Sequence, residues 1–153
     1  MAQKSSPREP GMTALGHRHP DHDYIVARQE RYIEAWRSGS PERVMEFMDA
    51  KELNYSNFGM DKEDLSHSSI KDLFAKNLSD FHDLDIKTRS LHGHKHFTAW
   101  EWVVTGKAKR GPNGEMLKKE EIEPKKMIGC TLMWWNKDDK IIRNHEYAQL
   151  KNE

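Results

Sequence analysis

The sequence predicts one α+β domain, in which three helices of the N-terminal half pack on a strongly curved, mostly antiparallel sheet. Three observations predict it. Up to about residue 81 the apolar residues recur mainly at helical spacing. From Leu84 to the end the period changes to two. Helices gathered on one face of an antiparallel sheet then bury both apolar surfaces at once. The length, 153 residues, is that of a single domain.

Residues 1–20, with Pro7, Pro10, Gly11, Gly16 and Pro20, read as a flexible arm, with His17, His19 and His22 as surface groups. Residues 21–153 are left as the domain. Helical periodicity begins near Asp23, where Ile25, Tyr32 and Trp36 share a face that Val26 and Ile33 widen. Ser38-Gly39-Ser40-Pro41 ends that helix, and Ser40 caps a second, short one with Pro41 at its first position. Val44, Phe47 and Met48 point inward from it.

Glu52–Phe58 reads as a strand, with Leu53, Tyr55 and Asn57 on one side. Ser66 or Ser68 caps a third helix whose stripe is Ile70, Leu73, Phe74, Asn77, Leu78 and Phe81. Two hairpins follow, Leu84–Leu91 with His96–Lys107 and Met127–Trp135 with Ile141–Leu150. The second turns at Asn136–Lys140. The link at 107–126 carries seven basic and four acidic residues and the turn signal Gly111-Pro112-Asn113-Gly114.

Lys plus Arg and Asp plus Glu both total 25, which argues against a strongly basic nucleic-acid binder. No window approaches the roughly 20 apolar residues of a membrane helix. The N-terminus lacks the apolar core of a signal peptide, and Cys130 is the only cysteine, so a disulfide framework is excluded. A cytoplasmic protein is expected. Without a Gly-rich phosphate loop, no organic cofactor is indicated.

The order of elements, with YIEAWRSGSPERVMEFM early, AWEWVVTGKAK in the middle and DDKIIRNHEYAQL at the end, resembles the nuclear transport factor 2-like superfamily. It is most similar to the SnoaL-like branch, which includes small enzymes of fungal polyketide and terpenoid pathways. The resemblance covers residues 22–150. It implies a cone-shaped barrel around one pocket. The superfamily includes cyclases, dehydratases, isomerases, epoxide hydrolases and proteins without catalysis, so fold alone does not choose a reaction.

On the last strand, alternation puts Ile142, Asn144 and Glu146 on one face. The resemblance to limonene epoxide hydrolase and the SnoaL cyclases implies that Glu146 is an acidic residue pointing into the pocket. A carboxylate in an apolar cone loses hydration, so its pKa rises toward neutrality and suits proton transfer. The competing reading is a solvated carboxylate at a strand end. Tyr55-Ser56-Asn57 resembles the Tyr-x-Asn of limonene epoxide hydrolase, where the pair holds a water with the carboxylate. Positions i and i+2 of a strand do face the same way; the bland alternative is an edge Tyr and a turn-forming Asn.

That hydrolase's Arg-x-Asp would fall at Trp100-Glu101-Trp102. Alternation places His96, Thr98, Trp100, Trp102 and Val104 inward and Glu101 outward. Indoles donate hydrogen bonds but are no practical proton source. Chemistry needing one base and a shaped aromatic wall therefore fits better than epoxide hydrolysis. A register slip of one would bring Glu101 in. Gly129, Thr131 and Met133 share the inward face of the strand before last. The resemblance to scytalone dehydratase implies pocket polar groups at positions 129 and 131, of which only the Thr131 hydroxyl survives as a side chain. Tyr32, Trp36, Phe74 and Leu78 are expected to line the pocket, although such stripes are usually plain core.

His92-Gly93-His94-Lys95-His96 invites a metal reading. Irregular backbone at a hairpin turn and the lack of nearby carboxylates argue against it, and no metal is expected. His96, at a strand start, is a candidate acid or electrophile. Cys130 faces away from Thr131 and lacks an activating base.

The sequence thus predicts a cofactor-independent enzyme of secondary metabolism that isomerises, cyclises or dehydrates a hydrophobic, oxygenated polyketide- or terpenoid-type molecule. Glu146, Tyr55, Asn57 and His96 are the candidate catalytic residues. Trp100, Trp102, Asn144, Thr131, Met133, Phe74, Leu78, Tyr32 and Trp36 are the candidate substrate-binding ones. The alternatives are an epoxide hydrolase using a Glu146-activated water, and a non-catalytic binding or interaction module. A pocket with Glu146 buried against polar partners favours catalysis; one plugged by Trp100 and Trp102 favours the module. The expected partners are a hydrophobic small-molecule substrate and a second copy in a homodimer, with neither nucleic acid nor membrane.

Overall fold

A computed structural model describes residues 19–110, 114–122 and 124–151. Most of the arm and residues 111–113 of the Gly-Pro-Asn-Gly turn lie outside the described residues. Helices α1 (His22–Arg37) and α2 (Pro41–Met45) precede strand β1 (Asn54–Asn57), a 3-10 turn (Phe58–Met60) and strand β2 (Lys62–Leu65). Helix α3 (His67–Ser79) follows, then β3 (Phe81–His94), β4 (Phe97–Ala108), β5 (Pro124–Trp135) and β6 (Ile141–Lys151). The six strands form one sheet in the order β2-β1-β6-β5-β4-β3. All neighbours are antiparallel except β1 and β6, which run parallel. The sheet is open between β2 and β3, and α3 touches both β1 and β3 across the gap. The result is the α+β cone.

Helix α1 buries Ile25, Tyr32 and Ile33 as its spacing predicts, with Arg28 and Gln29 on the same buried side. The Arg28 guanidinium lies 3.8 Å over the Trp135 ring and donates to the Lys95 carbonyl at 2.7 Å and to Asp139 at 3.0 Å. It therefore ties the β3–β4 and β5–β6 turns to the helix and closes one end of the cone. Ser40 caps α2 by accepting from the Arg43 N–H, with Pro41 at the first helical position. The side chains of Ile70 and Phe74 on α3 are fully buried; burial of each contributes roughly 2–3 kcal/mol.

Four details differ from the sequence reading. His22 is the first residue of α1 and is buried, not a surface group of the arm. The first strand is shorter than Glu52–Phe58 and both its faces are covered, Ser56 being as buried as Tyr55. Strand β2 is all but apolar-free, Lys-Glu-Asp-Leu, so alternation could not reveal it; it is an edge strand paired on one side only. The first hairpin turns at Lys95–His96, leaving His92, Gly93 and His94 regularly paired with β4. Among the described residues no helix is long and apolar enough to cross a membrane.

Candidate active site

A cavity of about 330 Å³ lies between the concave face of the sheet and the helices. Its walls are mostly apolar. Trp100, Trp102 and Val104 come from β4, Tyr32 and Trp36 from α1, and Leu78 from α3. Glu146 on β6 and Asn57 on β1 place the polar groups. The far ends of β4, β5 and β6 contribute Gly106, Lys125 and Leu150, on the side away from the Arg28 closure.

Glu146 is held from two sides. The parallel pairing sets it directly opposite Asn57, whose Nδ2 donates to Glu146 Oε2 at 2.6 Å. The antiparallel pairing sets it opposite Thr131, whose hydroxyl reaches Oε1 at 3.5 Å. Burial in the apolar cone pushes its carboxyl up to about 7, with the Thr131 hydrogen bond opposing the shift. At neutral pH it is therefore able both to take up and to release a proton. Asn57 is itself fixed, because its Oδ1 accepts from the Met60 N–H and caps the 3-10 turn.

The indoles are committed internally. Trp100 Nε1 donates to Thr88 at 3.0 Å and Trp102 Nε1 to Thr131 at 2.8 Å. Neither N–H is left over for a substrate, so the two rings shape the wall. Since Thr131 receives the Trp102 proton on its oxygen, its own hydroxyl hydrogen is free to point at Glu146. Gly129, opposite Trp102 across β4–β5, makes room for the ring: a Cβ there would lie 2.4 Å from an indole carbon.

Among the expected site residues, Glu146, Asn57, Trp100, Trp102, Leu78, Tyr32 and Trp36 line the cavity. Thr131 stands behind Glu146, buried but bonded to it. The others are placed elsewhere. Tyr55 is buried behind the wall and packs edge-on against Phe74, 5.3 Å away; burial and the charge of Glu146 hold its phenol well above its ordinary pKa. Phe74 and Met133 are fully buried core. Asn144 shares the inward face but is covered, and its amide has no hydrogen-bond partner among the described residues. His96 is an exposed turn residue, its ring nitrogen against the Trp135 carbonyl, and it does not reach the cavity because the hairpin turns at its own position. Glu101 is exposed on the outer face and accepts from Ser90, which excludes the one-residue slip. Cys130 pairs with Glu101 on that outer side, and burial raises its thiol pKa.

Lys125, Gly106 and Ala148 were not anticipated as lining. Counting by twos from Thr131, Trp102 and Glu146 reaches all three. Asn77 and Phe81 were assigned only to the stripe of α3, and both line the cavity. Among the described residues no group of His, Cys, Asp and Glu is placed to hold a metal ion.

No protein-family profile matches the chain. The cyclase aurE of Calcarisporium arbuscula is 31% identical over 131 residues, which span 84% of this chain and 89% of that protein. Among solved structures, AclR of Streptomyces galilaeus superposes with a TM-score of 0.69 at 12% identity, over 83% of this chain and 76% of its own. A SnoaL-like polyketide cyclase of Agrobacterium tumefaciens superposes with a TM-score of 0.61 at 13% identity, over 84% and 90%. The structural likenesses establish the cone fold, and the close relative places the sequence within it: the chain belongs to the SnoaL-like branch of the nuclear transport factor 2-like superfamily.

Proposed function

We propose that this protein is a cyclase-type enzyme that works without a cofactor, using Glu146 as a proton shuttle on a hydrophobic, oxygenated substrate of polyketide or terpenoid type. The observation that carries the proposal is the Glu146 carboxyl, raised to about 7 inside an apolar cavity and held by Asn57 and Thr131. The relation to a protein named a cyclase points the same way. In ring closure, Glu146 accepts the proton of a substrate O–H or acidic C–H. The electron pair released attacks an electrophilic carbon of the same molecule, and the proton returns to the atom that gains charge. Atoms balance as an isomerisation, or as a dehydration when the returned proton leaves with a hydroxyl. Tyr32, Trp36, Trp100 and Trp102 fold the substrate so that the two reacting atoms meet. The indoles line the cavity without filling it, which disfavours the module reading.

The test is Glu146→Gln, nearly isosteric but without a basic oxygen. Turnover should fall by roughly 10²–10⁴-fold with the fold retained. Full activity in that variant would end the proposal. A second reading, epoxide opening by a Glu146-activated water, is favoured by the Asn57–Glu146 contact, which suits holding a water. It is disfavoured because Trp100 and Trp102 stand where the Arg-x-Asp of limonene epoxide hydrolase would fall, and an indole is no practical proton source. Reaction in ¹⁸O-water separates the two: hydrolysis puts solvent oxygen into the product and ring closure by a substrate hydroxyl does not.

A further inference from the structure

The cavity has two ends with opposite electrical character. At the inner end stands Glu146. At the other end stands Lys125, and among the described lining residues it is the only one that carries a fixed positive charge. Alternation from Thr131 places Lys125 on the concave face of β5, while its neighbour Lys126 is exposed on the other side. The residue paired with Lys125 on β4 is Gly106, which also lines the cavity and has no side chain to cover the ammonium. Lys125 is partly buried, yet among the described residues it has neither an ion-pair nor a hydrogen-bond partner.

A partly buried ammonium at the edge of an apolar cavity, with no counter-ion among the described residues, is placed to form a charge-assisted hydrogen bond with an anionic ligand. Between the two ends the walls offer mainly indole, phenol and alkyl surface. Six steps of extended strand lead from Lys125 to Thr131, roughly 20 Å along β5. An anionic group is repelled by the carboxylate form of Glu146 and attracted by Lys125. An apolar chain with an anion at one end can therefore enter in one direction only.

We propose that Lys125 is the recognition site for an anionic group of the substrate, a carboxylate or an acidic enol, which it holds at the cavity mouth while the apolar remainder reaches Glu146. This deepens the proposed function and rests on the same cavity being the substrate site. It narrows the substrate class to amphiphilic acids and sets their orientation. Lys125 acts in binding and is separate from the proton transfer.

Equilibrium binding of dodecanoate and of its methyl ester tests this at pH 8, read by the fluorescence of Trp36, Trp100 and Trp102. The carboxylate should bind about tenfold more tightly than the ester, the scale of one hydrogen bond to a charged group. Lys125→Gln should abolish that preference and leave the ester affinity unchanged, and Lys125→Arg should keep it. Added salt should weaken the acid and spare the ester. Equal affinities in the native protein, or an undiminished preference in Lys125→Gln, would overturn the proposal. Binding of neither probe overturns it as well, because the cavity would then not admit an apolar acid. Glu146→Gln separates this proposal from the catalytic one. It should keep the preference for the carboxylate whatever it does to turnover, so either reading can fail alone.

Discussion

Asn57 and Glu146 face each other across the single parallel pairing of the sheet, β1 on β6, and the amide of one donates to the carboxylate of the other at 2.6 Å. Because the bond stabilises the ionised form, its loss should make Glu146 a weaker acid. Asn57→Ser keeps a side-chain oxygen for the Met60 N–H but falls short of the carboxylate. A hydrogen bond to a charged group is worth about 1.5–3 kcal/mol. The acid-side limb of kcat/KM against pH, where the base becomes protonated, should therefore move up by about one to two pH units. An unmoved limb with normal folding would show that Asn57 does not act on the carboxylate.

Glu146 also couples stability to pH. Its carboxyl titrates near 7 in the folded protein against an ordinary value of 4.5. Between those values the folded chain binds more protons than the unfolded one, so stability falls as pH rises. The favourable contribution is complete below about 4.5 and lost through about 7, and the gap corresponds to about 3 kcal/mol. Glu146→Gln should remove this dependence. Urea denaturation should find the variant more stable than the native protein at pH 8, with the advantage gone at pH 4.5. Parallel pH profiles for the two proteins would refute the buried-carboxylate account.

Gly129 is predicted to be intolerant of even one methyl group. In Gly129→Ala the new carbon would lie within 2.4–2.8 Å of three Trp102 ring atoms. The indole cannot yield as a flexible chain end would, because its Nε1 is held by Thr131. Overpacking of this kind costs about 1–3 kcal/mol. Thermal melting should show the loss, and a changed near-ultraviolet circular dichroism spectrum should show the moved indole. A variant with native stability and spectrum would contradict the packing described.

The outer face of the sheet is expected to pair with a second copy. Tyr147 is 47% exposed and stacks on Phe58, which is 37% exposed, at 4.9 Å. His145 packs edge-on against both Phe58 and Trp134. Light scattering should report a homodimer, burying roughly 800 Å² per partner. Tyr147→Lys, which puts a charge in the centre of that surface, should shift it toward monomer without unfolding. A native monomer at high micromolar concentration would remove the prediction.

Much of this architecture was legible in the chain. The period of two places Glu146 and Asn144 on one face of β6, Trp100 and Trp102 on one face of β4, and Glu101 outside, because alternation is a local consequence of extended backbone. The Ser40–Pro41 start of α2 was legible for the same reason: a cap is satisfied within four residues. Where local rules were silent, the reading failed. Strand β2 has the composition of a loop. His96 was placed inward by extending the count of β4 one pair too far, into a turn.

What the sequence determined by itself was therefore which residues of each strand share a face; the resemblance to the SnoaL cyclases implied that the Glu146 face turns inward. Depth along that side was decided only by the tertiary structure. Tyr55 and Asn57 have the same inward parity, yet α3 covers Tyr55 with Phe74 while Asn57 stays open to the cavity beside Glu146. Met133 and Lys125 likewise share one face of β5, and the first is solid core while the second lines the cavity. Parity is set by bonds within a strand. Depth is set by how far the cone has narrowed at each level, and that depends on the helices and on a parallel pairing between strands almost ninety residues apart.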